Sequence, residues 1–452
     1  MMRVKSLHVM FSLLFVFSLL LYTTITSSTE RTAIQLVIDD AIGPATEDYI
    51  VRALEKADQQ RAELVVIRMD TPGGLDSAMR GIIKSIINSS VPVVTYVAPS
   101  GSRAASAGTY ILYASHIAAM APGTNLGAAT PVKIGGFSPP DISGKDKKES
   151  PTDSDSMQKK IINDAIAYIR GLAELRGRNQ DWAEKAVREA ASLQASEALK
   201  INVIDIVATG IADLFAQING RKVMIQGHER SLNTTGLTVR EINPDWRSRL
   251  LSVITNPNVA YILMLMGIYG LILEFSNPGA IIPGTVGAIS LLLAMYAFQL
   301  LPINYAGMSL ILLGVALMVG EAFQPSFGML GIGGTISFVF GSIILMDTDV
   351  PGLGIDLSVI ITFTISSALL FIFVVGMAIK ARRRPVVTGS EELVGSEAIV
   401  IDGFEHEGQV SLHGEIWRAI SDTPLQKNQP TTVTSIKGLT LYVKPIENSA
   451  QE

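Results

Sequence analysis

The chain has 452 residues, 48% of them hydrophobic and only 17% charged, with a formal net charge of −5. Soluble domains average about 25% charged residues, so part of this chain belongs in lipid, and the slight acidity excludes a nucleic-acid binder, which would present a basic face. Zero cysteines exclude disulfides, thiol catalysis and cysteine metal sites, and the five histidines form no metal-ligand spacing; no cofactor or metal is expected.

Arg3 and Lys5 precede the apolar run Val9 to Tyr22, and Thr/Ser-rich sequence continues to Ser28. Residues 1–28 thus have the layout of a signal peptide or an uncleaved N-terminal anchor, which places the adjoining domain outside the cytoplasm.

Residues 30–230 read as an α/β domain. Strand-like runs Ile34 to Ile38, Leu64 to Met69, Val91 to Val97 and Ile117 to Ala121 alternate with helical patterns at Thr46 to Arg61 and Leu75 to Ile87. Such alternation predicts a mostly parallel sheet with crossover helices. Residues 133–156 turn to Gly, Pro, Ser, Asp and Lys, predicting a flexible surface loop. Helical periodicity returns over Met157 to Arg176, with Lys160 in the predicted first turn, and again over Asp181 to Ala191.

One stretch suggests chemistry. Ser106 lies in Gly101-Ser102-Arg103-Ala104-Ala105-Ser106-Ala107-Gly108, where a strand gives way to a helix. Small neighbours admit a substrate backbone, and a helix start presents free N–H groups. A packing joint of small residues would have the same composition. A nucleophilic serine needs a base. His116 is the nearest histidine in sequence; lysine is the alternative, since a desolvated amine can lose its proton, and Lys160, Lys159 and Lys133 compete. The glycines of Asp70-Thr71-Pro72-Gly73-Gly74 can turn N–H groups toward an oxyanion, with the N–H of Ala107 as second donor; an ordinary strand-to-helix turn would also use them.

Residues 250–380 hold about five apolar stretches, near 258–273, 279–301, 305–320, 327–346 and 357–379, an all-α transmembrane bundle. Arg382-Arg383-Arg384 after the last one puts that end in the cytoplasm. Gly267, Glu274, Pro278, Gly284, Gly287, Ile289 and Ser290 recur, each offset by 47 residues, as Gly314, Glu321, Pro325, Gly331, Gly334, Ile336 and Ser337. These glycines are expected to let helices pack closely, and the two glutamates to sit at helix ends. Residues 388–448 alternate in about five short strands separated by Gly, Pro, Asp and Asn, predicting a small all-β barrel. Trp417 and Tyr442 are expected in its core.

Asp70-Thr71-Pro72-Gly73-Gly74-Leu75, with Ala104-Ala105-Ser106-Ala107-Gly108 downstream of it, resembles the Clp-protease/crotonase superfamily. With Ile161-Ile162-Asn163-Asp164-Ala165, Asn277-Pro278-Gly279 and Gly414-Glu415-Ile416-Trp417-Arg418-Ala419, nearly the whole chain resembles the long-form NfeD family of membrane-bound serine proteases. The resemblance implies a Clp-like domain, a transmembrane block and a C-terminal barrel of oligonucleotide-binding (OB) type. It also implies a Ser-Lys dyad of Ser106 and Lys160, an oxyanion hole from Gly74 and Ala107, and a cleft bordered by Gly73 and Leu75. The implied partners are a stomatin- or flotillin-like membrane protein as substrate, membrane lipid, and further copies of the chain in a homo-oligomer, with no nucleic acid. A non-catalytic scaffold that uses the same fold for binding is the alternative; an acyl-CoA enzyme of the crotonase type would have no evident use for this serine.

Overall fold

In the computed structural model, residues 31–131, 153–276, 281–324, 326–346, 352–382 and 390–446, with Gly279 and Thr348, are described. The N-terminal segment, Lys133, Pro278, Pro325 and Arg383-Arg384 lie outside them.

The first half is built on short β-branched runs. Strands β1 (Thr32–Ile38), β2 (Leu64–Met69) and β3 (Val93–Val97) are separated by helices α1 (Pro44–Gln59) and α2 (Asp76–Ile87). Next come β4 (Arg103–Ala105), α3 (Ala107–Ala114), β5 (Ile117–Met120) and β6 (Asn125–Gly127). Beyond them lie α4 (Asp153–Arg176), α5 (Gln180–Arg188), β7 (Ser192–Gln194), α6 (Ala195–Lys200), β8 (Ile206–Val207) and α7 (Ile211–Ile218). The hairpin β9 (Lys222–Ile225) and β10 (His228–Ser231) and the strand β11 (Thr238–Glu241) close the region. The main sheet runs β11-β1-β2-β3-β5-β8, and every pairing in it is parallel.

Because side chains alternate across a strand, the sheet feeds two cores. Val65, Ile67 and Met69 enter one core with α2, α3 and α4, whereas Leu64 and Val66 enter the other with Leu214, Phe215 and Ile218 of α7. Ile82, Ile83 and Ile86 of α2 are fully buried at helical spacing, each stabilising the fold by about 1.5–3 kcal/mol. A smaller sheet, β4-β6-β7, lies outside the main one.

One expectation is corrected. Helix α4 begins at Asp153, so residues 153–156, expected in the loop, are helical and Lys160 lies about two turns inside the helix instead of in its first turn.

Helix α8 (Trp246–Ile254) is capped by Asp245, whose carboxylate accepts from the N–H groups of Arg247 and Ser248. The apolar helices α9 (Pro257–Ser276), α10 (Ile282–Leu300), α11 (Tyr305–Phe323), α12 (Met329–Leu345) and α13 (Leu357–Arg382) come next. Of these, α9 and α10 are each long and apolar enough to cross a bilayer. The repeated glycines sit where helices touch. A Cβ on Gly267 would lie 2.7 Å from Leu291 Cβ, and one on Gly314 would lie 2.7 Å from Phe338 N; Leu291 and Phe338 are themselves one repeat apart. Glu274, as expected, lies near a helix end and accepts the N–H of Gly279.

The C-terminal unit carries a short helix, α14 (Ser390–Leu393), and a closed barrel in the order β12-β13-β14-β16-β15. Its strands are β12 (Glu397–Val400), β13 (Glu407–Leu412), β14 (Glu415–Ile420), β15 (Pro430–Lys437) and β16 (Thr440–Pro445). Val400, Val410, Leu412, Val433, Leu441 and Val443 fill it. Trp417 packs against that core half-buried, whereas Tyr442, expected inside, is half-exposed and stands outside the core cluster.

Candidate active site

The site sits at the carboxyl end of the parallel sheet, where strand ends and helix starts leave backbone groups unpaired. Strand β2 ends in Asp70-Thr71-Pro72-Gly73-Gly74, and beyond β3 the chain returns through β4 to Ser106, the residue preceding α3. The two segments are stitched together: Thr71 N–H donates to Arg103 O (2.8 Å), Ala105 N–H to Thr71 O (3.1 Å), and Arg103 N–H to Asp70 Oδ1 (2.9 Å).

Ser106 has φ 51° and ψ −116°, a conformation costly for a residue with a Cβ. Its surroundings hold it there. Its N–H donates to Gly127 O (2.9 Å), and its own carbonyl accepts from Thr109 N–H (2.9 Å). The fully buried Thr109 hydroxyl donates to Ala104 O (2.8 Å) and contacts Gly127 O (3.0 Å).

Gly73 faces the serine at φ 121°. A Cβ there would lie 2.7 Å from Ser106 Cβ and 3.2 Å from its Oγ, so only glycine fits. A Cβ on Gly74 would fall 2.1 Å from Ile42 O. Around this turn, Ile42 N–H donates to Gly73 O (2.7 Å) and Leu75 N–H to Ile42 O (2.8 Å). Ala107 opens α3, so its N–H has no partner within that helix.

Ser106 opens on a cavity of about 90 Å³ lined by Gly74, Met79, Ala107, Tyr110, Ala129 and Ala165, with Asp76, Arg80 and Pro131 at its edge. A second cavity of about 430 Å³ is lined by Asp76, Arg80, Pro131, Lys160, Ile161, Asp164 and Ala165. The two share four lining residues, so Ser106 and Lys160 stand on adjoining hollows. Lys160 is exposed here, whereas a lysine base is expected to be a desolvated amine. Lys159, equally exposed, lines neither cavity. Leu75, expected beside Gly73 in the cleft, instead packs into the main core at 5% exposure; the wall facing the cavity is Gly74.

His116 is excluded as the base by its place. It lies beyond the far end of α3, about 12 Å from Ser106 at 1.5 Å per residue. Its Nδ1 accepts Val93 N–H (3.2 Å) at the amino end of β3. Burial, together with Arg176 and Arg178, pushes its pKa down to about 3.

Asp76, Arg80, Asp164 and Tyr168 join the site without having been expected there. Arg80 donates to both carboxylates and lies under the Tyr168 ring. The signal was present: Asp76 and Arg80, and likewise Lys160, Asp164 and Tyr168, are spaced by four, which lines them along one helix face.

Comparison with known proteins agrees with this architecture. Residues 33–227 match the N-terminal domain of NfeD1b, residues 258–377 the NfeD integral membrane domain, and residues 390–445 the NfeD-like C-terminal, partner-binding domain. The chain is 38% identical over 413 residues to the membrane-bound protease PH1510 of Pyrococcus horikoshii, covering 88% of this chain and 90% of that one. The chain belongs to the NfeD family. It is also 25% identical over 475 residues to the membrane protein NfeD1b of Bacillus subtilis, covering 99% and 100%. Among solved structures it is similar to a membrane-bound stomatin-specific protease in which a lysine is replaced by alanine, in complex with a substrate peptide. There the identity is 38%, the coverage 50% of this chain and 98% of that one, and the TM-score 0.43. A membrane protease specific for a stomatin homolog from Pyrococcus horikoshii matches at 36% identity over 50% of this chain and 98% of that one, with a TM-score of 0.41. As a member of this family, the chain is a membrane protein.

Proposed function

We propose that this NfeD protein is a membrane-anchored serine endopeptidase that cuts apolar segments of stomatin-like membrane proteins. Ser106 Oγ attacks the scissile carbonyl while Lys160 takes its proton and then passes it to the leaving amine; water hydrolyses the resulting acyl-enzyme by the reverse relay. The N–H groups of Gly74 and Ala107 hold the oxyanion of each tetrahedral intermediate. The reading rests on one observation above all: Ser106 is held at positive φ on a strand-to-helix elbow, against a glycine that no other residue could replace, at the edge of a cavity.

The family supports it, since a relative covering most of the chain is a membrane-bound protease, and a solved relative is described as specific for a stomatin homolog. The apolar wall of Met79, Tyr110, Ala129 and Ala165 suits an apolar substrate side chain. In this reading the domain at residues 30–230 works outside the cytoplasm, the barrel lies inside, and the chain acts as an oligomer.

The test uses the full chain in lipid or detergent with apolar peptides. Ser106→Ala abolishes cleavage and fluorophosphonate labelling, Lys160→Ala lowers turnover by roughly 10²–10⁴-fold, and Lys159→Ala stays near the wild type. Unchanged turnover in Ser106→Ala ends the reading and favours a non-catalytic scaffold; a severe loss in Lys159→Ala with Lys160→Ala active moves the base by one residue.

A further inference from the structure

Arg80 lies in the wall shared by the two cavities and ties three helices together. From α2, its Nε donates to Asp76 Oδ2 (2.8 Å) and its Nη2 to Asp164 Oδ2 of α4 (2.6 Å). Its guanidinium carbon stands 4.4 Å from the centroid of the Tyr168 ring. Tyr168 in turn stacks on Tyr110 of α3, with centroids 6.1 Å apart and planes at 25°. Tyr110 is one helical turn beyond Ser106, and Asp164 one turn beyond Lys160.

Among the described residues, little else fixes Lys160. Among the side chains described, the first buried one in α4 is Ala165; Lys159, Lys160 and Ile161 are exposed and Ile162 only half-buried. The turn that carries the amine therefore reaches past the core, and its orientation depends on what grips it from outside.

We propose that Arg80 is a positioning residue that holds the Lys160 turn of α4 against the Ser106 helix, through Asp164 on one side and the Tyr168–Tyr110 stack on the other. The inference rests on the Ser106–Lys160 reading given above. Exposed ion pairs add little to stability, and the Arg80 and Asp164 side chains are 38% and 68% exposed. The contribution of this link therefore falls on geometry, where a displacement of about 1 Å can cost on the order of 10²-fold in rate.

The experiment measures kcat and KM on apolar peptides with the full chain in lipid. Arg80→Gln lowers kcat by about 10²-fold with KM changed less than about threefold, and it melts within about 2 °C of the wild type. Arg80→Lys recovers part of the rate, because one ammonium cannot bridge both carboxylates as the guanidinium fork does. Asp164→Asn gives a similar kcat loss, and the double variant is no worse than the poorer single, as expected when both cut one link. Multiplying losses, or a rise in KM alone, overturns the inference by making Arg80 an independent or substrate-contacting group. Wild-type turnover in Arg80→Gln alongside an inactive Lys160→Ala removes this inference and leaves the dyad standing. Wild-type turnover in Lys160→Ala removes the dyad, and this inference with it.

Discussion

The two ends of the parallel sheet hold different chemical groups and put them to different use. At the amino end, Arg178 is 1% exposed in its side chain, donates to Tyr113 O (2.7 Å) and pairs with Asp205 (2.6 Å). Asp205 also accepts from Ala118 N–H (2.8 Å) and Arg221 (2.7 Å). Arg176 joins from α4 by donating to Ala114 O (2.8 Å). Here a histidine, three arginines and an aspartate secure the C-terminal end of α3 and the start of β8. The carboxyl end has a strained serine, two glycines and a cavity, and no histidine among the described residues that line it. A histidine and charged pairs at the amino end serve the packing of α3 and β8, and access to a hollow distinguishes the candidate site.

Breaking the amino end should destabilise the protein without touching its chemistry. Asp205→Ala leaves Arg178 buried without its counter-charge, a loss of about 3–5 kcal/mol, read as a fall in denaturation midpoint. Cleavage per folded molecule at low temperature stays at the wild-type value. A matching fall in kcat would mean that the two ends are coupled through α3.

Breaking the carboxyl end should do the reverse. Gly73→Ala forces a side chain into φ 121° and against Ser106, costing on the order of 1–3 kcal/mol in stability but roughly 10²-fold in kcat, because it displaces the serine. Peptide cleavage and thermal melting on the same preparation separate the two. An active Gly73→Ala variant would show that the turn gives way and that its tight fit to the serine is not needed for the chemistry.

The same contrast explains what the sequence made legible. Strands β2, β3 and β5 are nearly continuous apolar runs because both of their faces are buried, so they stand out. Strands β4, β6 and β7 have three residues each, too few to show a period, though β4 carries the chain into Ser106. Ser106 and Gly73-Gly74 were visible because close approach requires small residues. Adjacency to a glycine turn says nothing about which way the next side chain points, so Leu75 reads as cleft from sequence; it holds the N-cap position of α2 and faces the core. Arg80 and Asp164 do not stand out in the sequence because charges spaced by four read as a solvated helix face, and only the fold shows that this face is the rim of a cavity. The start of α4 at Asp153 lacks apolar periodicity, so its composition reads as loop although it is helical.

His116 gives the smallest effect and the finest test of the comparison. Its Nδ1 accepts the Val93 N–H, and an asparagine oxygen at this position can take over that role. His116→Asn should therefore leave kcat near pH 7 unchanged, since the ring lies beyond the far end of α3 from Ser106. Its effect lies in acid. Burial and the neighbouring arginines hold the folded pKa at about 3, against about 6.5 for an unfolded histidine. Between these values the unfolded chain binds the proton and the folded one does not, so stability falls as pH drops from about 6.5 toward 3. Asp205 adds a separate loss at lower pH: burial alone would raise its carboxyl, but Arg178, the Ala118 N–H and Arg221 hold it below the usual value, so its contribution disappears only as that carboxylate takes up its proton. Melting temperature plotted against pH should thus be flatter in His116→Asn between about pH 6.5 and 3 and should still fall at the acid extreme. An unaltered slope in the upper window would mean that the histidine is protonated in the folded state, and a drop in kcat at pH 7 would bring the amino end of the sheet into the chemistry after all.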